Sequence, residues 1–146
     1  GIYFNTKVSK EQKDCVISIM QSMGITEVVD EEAMIDVIAA CASSGPAYYL
    51  QFMEHMVDAA VKNGLDKVKA EHLVAQTCLG AAQMAKHSGQ SISKLRENIT
   101  SKKGITAEAL NVFEKSDLVG IVENAIAANI NRAKEISKEL EKRFYL

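Results

Sequence analysis

A chain of 146 residues with 47% apolar residues, 25% charged residues and a net charge of −2 has the size and balance of one globular domain. That balance excludes the basic surface that nucleic acids or anionic membranes require, and no apolar run reaches the about 18 residues of a membrane span. Cys15, Cys41 and Cys78 are odd in number and set among apolar residues, which argues against a disulfide framework and predicts reduced core thiols in a cytoplasmic protein.

The opening GIYFN is a β-like apolar segment with no cap or turn before it, so a larger fold is expected on its N-terminal side. Residues 2–4 read as a short strand. Ser9 followed by Gln12 is a capping-box pattern that opens a helix to Met23, with Val16, Ile19, Met20 and Met23 on one face and Gly24 as its stop. The β-branched stretch 26–29 is a second strand, so residues 1–30 read as a strand, helix, strand unit at the edge of an α/β sheet.

From residue 31 the periodicity turns helical, and residues 31–146 read as one helical domain. A helix over 31–42 breaks at Ser43-Ser44-Gly45 and resumes at Pro46, with Ser44 or Gly45 as cap, running to Asn63 with Gly64 as its stop. Further helices are expected over 67–87, stopped near Gly89, then over 91–98, 107–115 and 117–143. The fold class is therefore mainly α, preceded by a short strand, helix, strand remnant.

The two central helices are apolar on more than one face. Leu50, Phe52, Met53, Met56 and Val57 in the first, and Leu73, Val74, Cys78, Leu79 and Met84 in the second, leave no wide polar side. A helix apolar nearly all round is buried nearly all round. Either a second copy of the chain covers them, approaching closely at Gly80-Ala81-Ala82, or a further N-terminal region does; the homodimer is the preferred expectation. Tyr48 and Tyr49 are expected in the core.

The stretch from Ile99 to Leu110, ITSKKGITAEAL, ends one helix, crosses a glycine-bearing loop and opens another. Hydroxyls at Thr100, Ser101 and Thr106 bracket Gly104. A helix start leaves about four N–H groups unpaired at the positive end of its dipole, so a small carboxylate can dock there without a cationic side chain. The alternative is that Thr106 is an ordinary N-cap.

Other chemistries lack their residues. His55, His72 and His87 are far apart without metal-ligand spacing, so no metal is expected. There is no nucleophile elbow, and no glycine-rich GxGxxG follows a strand, so these residues cannot cradle a dinucleotide pyrophosphate in the usual way.

Asp36-Val37-Ile38 leading into Ser44-Gly45-Pro46-Ala47-Tyr48, then Leu79-Gly80-Ala81-Ala82, then Ile99-Thr100-Ser101 with Gly104-Ile105-Thr106 before Ala109-Leu110, closely resemble pyrroline-5-carboxylate reductase. The resemblance covers essentially the whole chain, as the last strand, helix, strand of the nucleotide-binding domain plus the helical dimerisation domain. It implies an enzyme reducing 1-pyrroline-5-carboxylate to proline with NADPH or NADH, working as an interlaced homodimer or a higher oligomer. Carried over by position, Ser101 and the backbone around Gly104 and Ile105 would hold the substrate carboxylate. Thr106 would hydrogen-bond the ring nitrogen as the catalytic donor. Ser44, Gly45 and Pro46 would lie near the nicotinamide, with the rest of the cofactor held by an N-terminal domain. The 146 residues alone are then expected to be inactive. Lys103 stands where the family carries the first of two glycines, so either its backbone is strained or the loop is reshaped. A non-enzymatic helical dimerisation module of a divergent reductase-like protein is the alternative.

Overall fold

The computed structural model describes residues 1–144. Strand β1 (Ile2–Tyr3) pairs in parallel with β2 (Val28–Val29), Ile2 opposite Val28, and helix α1 (Lys10–Gln21) connects them. Parallel pairing needs such a crossover, because a tight turn reverses the chain. The expected capping box is present: Ser9 Oγ accepts from the Gln12 amide at 3.3 Å while Gln12 Oε1 accepts from the Ser9 amide at 2.9 Å.

The remaining elements are α2 (Met34–Ile38), a π-helical turn (Ala39–Ser43), α3 (Gly45–Lys62), α4 (Lys67–His87), α5 (Ile92–Asn98), α6 (Ile105–Lys115) and α7 (Leu118–Phe144). Gly64, at φ 96°, closes α3, and Gly89, at φ 68°, follows α4, both in a left-handed conformation that costs glycine nothing. Asp66 and Ser91 cap α4 and α5 by accepting from the amides of Lys69 and Lys94.

Two compact units result, one of residues 1–45 with the chain from Val122 onward, the other Pro46–Ile121. In the first, Ile2 and Ala40 are buried, and the backbone of Gly1 lies against Ile35 and Ile38 of α2. In the second, α3 and α4 form a hairpin whose interior is Val57, Ala70 and Val74, flanked by Met53 and Ala60.

Several expectations are corrected. The break expected at Ser43-Ser44-Gly45 falls at Ser44, but what precedes it is a widened turn and not the end of an α-helix: the Ser44 amide donates to the Ala39 carbonyl at 3.0 Å, five residues back. Pro46 has no N–H and its ring would crowd the carbonyl four residues earlier, and a π turn absorbs both defects while the chain continues. Cys15 and Cys41 are exposed, and Cys78 is half-buried, so the thiols are free as expected but two of them lie outside any core. The apolar face of α1 is also uncovered, because two strands of two residues each offer too little surface to bury it. Tyr49 is 68% exposed rather than in the core.

The central helices keep their apolar faces open. Leu50 is 62% exposed, Leu73 57% and Leu79 51%. Single exposed leucines are ordinary, but exposed apolar side chains recurring along both helices are what an interaction surface would need. Among the described residues no helix is long and apolar enough to cross a membrane.

Candidate functional site

The loop between α5 and α6 is built from its backbone outward. Thr100 closes α5, its hydroxyl donating to the Arg96 carbonyl at 2.6 Å and its amide to the Glu97 carbonyl at 3.1 Å. Of the three hydroxyls bracketing Gly104, this one is therefore already engaged. Ser101 then starts a turn closed by the Gly104 amide, which donates to the Ser101 carbonyl at 3.0 Å. Lys103 completes it in the left-handed region at φ 61°. A residue with a Cβ pays sterically for that conformation, so this loop keeps a glycine-type bend without the glycine.

Gly104 is the N-cap of α6, in extended conformation and without any side-chain cap. The expectation that Thr106 is the N-cap fails: the helix begins at Ile105, two residues earlier than expected, and Thr106 is its second residue. Among the described residues the amides of Ile105, Thr106 and Ala107 have no acceptor in the chain, and the first internal bond runs from the Glu108 amide to the Gly104 carbonyl at 3.3 Å. The Ser101 and Thr106 hydroxyls, both exposed, also lack a partner among the described residues. Ser101 stands directly over the helix start, since a Cβ on Gly104 would collide with Ser101 Oγ. Glycine at 104 is thus a packing requirement for Ser101. The result is one short patch with three backbone donors and two hydroxyls, suited to a carboxylate and an adjacent acceptor atom.

Ser44 and Gly45 sit at the end of the π turn, with Pro46 one residue on. Ser44 is half-buried, and its Oγ accepts from Asn129 Nδ2 of α7 at 2.9 Å. Gly45 is buried, yet a Cβ there would meet no atom within 4 Å. A small residue therefore leaves open room beside a fixed hydroxyl.

Sequence reasoning missed two features: the third free amide at Ala107, and Asn129. The last had a readable signal. Ile126, Asn129, Ile130 and Ala133 are half-buried at helical spacing, and a lone amide on such an apolar stripe needs a partner. The concavities of the first unit, one lined by Tyr3, Glu32 and Asp36 and one by Phe4, Lys10 and Lys13, contain none of the site residues. No group of three His, Cys, Asp or Glu side chains among the described residues could hold a metal.

Comparison with known proteins bears on this geometry. Residues 32–136 match the family model for pyrroline-5-carboxylate reductase dimerisation. A pyrroline-5-carboxylate reductase of Pseudomonas aeruginosa is 38% identical over 96% of this chain and 51% of its own length, and one of Vibrio alginolyticus 40% identical over 94% and 51%. A solved pyrroline-5-carboxylate reductase from Coxiella burnetii superposes with a TM-score of 0.86 at 43% identity, covering 91% of this chain and 49% of that one. A Plasmodium falciparum pyrroline carboxylate reductase solved with NADP bound gives 0.78 at 37% identity, covering 90% and 50%. The chain spans about half the length of the relatives it matches. With a family model matched through most of its helical part and relatives aligned along nearly all of it, the chain belongs to the pyrroline-5-carboxylate reductase family, whose dimerisation domain it carries.

Proposed function

We propose that this chain is the dimer-forming and substrate-binding half of an enzyme that reduces 1-pyrroline-5-carboxylate to proline with NADPH or NADH. The observation that carries the reading is the uncapped start of α6 beneath Ser101, in a chain whose residues 32–136 match the reductase dimerisation family. Residues 1–30 are assigned to the edge of a nucleotide-binding domain and 31–146 to the helical domain. Free thiols at Cys15, Cys41 and Cys78 suit a reducing compartment, and the enzyme is placed in the cytoplasm.

In this reading the amides of Ile105, Thr106 and Ala107, with the Ser101 hydroxyl, take the substrate carboxylate. Gly104 contributes by keeping space for Ser101, since its own amide is used within the turn. Thr106 Oγ1 donates to the ring nitrogen. A donor there stabilises the charge change at nitrogen as the neighbouring carbon is reduced, and the fixed carboxylate orients the ring.

By its resemblance to the family, the chain would set Ser44, Gly45 and Pro46 near the nicotinamide end of the cofactor, whereas the 146 residues contain no glycine-rich turn for its pyrophosphate. Bound, the cofactor supplies the hydride. The isolated 146 residues are accordingly expected to show no turnover. A homodimer, joined through the open faces of α3 and α4, is part of the same proposal.

The test is steady-state kinetics of the complete gene product with pyrroline-5-carboxylate and NADPH or NADH. Thr106→Ala should lower kcat roughly ten- to hundredfold while leaving assembly intact, because the lost hydrogen bond acts on developing charge. Wild-type protein that assembles but turns over neither cofactor would instead establish a non-catalytic dimerisation module.

A further inference from the structure

Resting on the reductase reading above, we propose that Ile105 is a specificity-determining residue of the same site, its side chain covering the bare ring carbons of the substrate and selecting against analogues that carry a hydroxyl there. Ile105 is the first residue of α6. Its side chain is 92% exposed, more than any other large apolar side chain among the described residues. Many apolar groups of this chain are open, but this one stands among polar ones. The Ser101 hydroxyl lies over Gly104, the exposed Thr106 hydroxyl follows, and the amides of Ile105, Thr106 and Ala107 have no acceptor among the described residues.

Covalent geometry ties the apolar group to the anion. The nitrogen and the Cβ of one residue are bonded to the same Cα, so a carboxylate held on the Ile105 N–H lies beside the Ile105 side chain. Helical Cα–Cβ bonds also tilt toward the N-terminal end, which leans this side chain toward the docked group. One residue thus offers a donor to the carboxylate and an apolar wall to whatever the carboxylate is attached to. A small inorganic anion leaves that wall in water. A carboxylate on a compact hydrocarbon ring covers it, and a ring hydroxyl pressed against it loses water without gaining a partner.

The test uses the complete gene product and two substitutions that differ from each other by one methyl for one hydroxyl, Ile105→Val and Ile105→Thr. Both remain β-branched, share a similar helix propensity and keep the backbone N–H, so any change at the helix start is common to the pair. KM and kcat are measured, with the cofactor the wild type uses, for pyrroline-5-carboxylate and for its analogues hydroxylated at ring carbon 3 or 4. Ile105→Val should lower kcat/KM for pyrroline-5-carboxylate by no more than about fourfold, the effect of one methylene. Ile105→Thr should lower it about three- to tenfold further, and should cut the preference over at least one hydroxylated analogue by a similar factor. The loss should appear in KM, with kcat within about twofold, as for a contact made equally in ground and transition states.

Equal kinetics and equal preferences in the valine and threonine variants would overturn the inference. So would a threonine variant whose mass by light scattering falls while that of the valine variant does not, since Ile105 would then be covered by protein and not by substrate. Wild-type protein without turnover would overturn the reductase reading and this inference with it, whereas an active wild type with indistinguishable variants overturns only this one.

Discussion

Lys103 holds a φ of 61° in the turn that carries Ser101 to the start of α6. A side chain in that region costs roughly 1–2 kcal/mol, while the glycine that relieves it loses about 0.5–1 kcal/mol in chain entropy. Lys103→Gly is therefore expected to stabilise the folded protein by at most about 1.5 kcal/mol, seen as a higher urea midpoint with unchanged slope. A lower midpoint would mean that the lysine makes compensating contacts. Glu11 is a second residue with a local cause and a local test. Its own backbone N–H, and then the Ser9 hydroxyl at 2.8 Å, hold its carboxyl below the ordinary value of 4.5. A lowered value in the folded state means that the ionised form favours folding above that ordinary value, and that this contribution is lost as pH falls through the lowered one. Carbon-detected titration of Glu11 should show a midpoint below 4.5, and Ser9→Ala should move it back up.

At the scale of elements, α4 exposes Leu73 and Leu79 while Ala70 and Val74 of the same helix pack in the core with Val57 of α3. Gly80 lies next to Leu79, and a Cβ at Gly80 meets nothing within 4 Å in the single chain. Gly80→Leu should therefore leave the helical content of the chain unchanged. If a second copy approaches at this glycine, the same change should dissociate the dimer, which light scattering would show as a halved mass. An unaltered dimer would move the interface to another face. On α7, Arg132 pairs with Glu135 at 2.8 Å and Glu139 at 3.1 Å, which raises its already high pKa. These side chains are exposed, so the pairs keep the helix solvated and contribute little to holding it in place.

For the whole molecule, the proposed homodimer would make folding and association one process. If two copies complete each other's cores, the folded state is bimolecular and the thermal midpoint should rise with protein concentration. A midpoint independent of concentration over a hundredfold range would show that each chain is stable alone. The departures at Lys103 and at the π turn do not disturb this plan, because both lie in connections and not in the α3–α4 hairpin.

Helix ends were legible because their causes are local: Ser9 with Gln12, Asp66, Ser91, Gly64 and Gly89 act on amides or carbonyls a few residues away. The strand, helix, strand opening and the apolar excess of α3 and α4 were legible for the same reason, as patterns of near neighbours. The parallel register of Ile2 with Val28 and the bond from Asn129 to Ser44 were not, since each depends on residues tens of positions apart meeting in space. Burial of Cys15, Cys41 and Tyr49 was misjudged because an apolar residue seeks cover, and only the packed elements decide whether any is within reach. The amino-acid sequence by itself determined the starts of α1, α4 and α5, the stops of α3 and α4, and which loop bears hydroxyls around Gly104. Tertiary structure alone decided that Pro46 is absorbed by a π turn, that Lys103 bends left-handed, and that three amides of α6 stay open, because backbone geometry is settled by all the contacts around it at once.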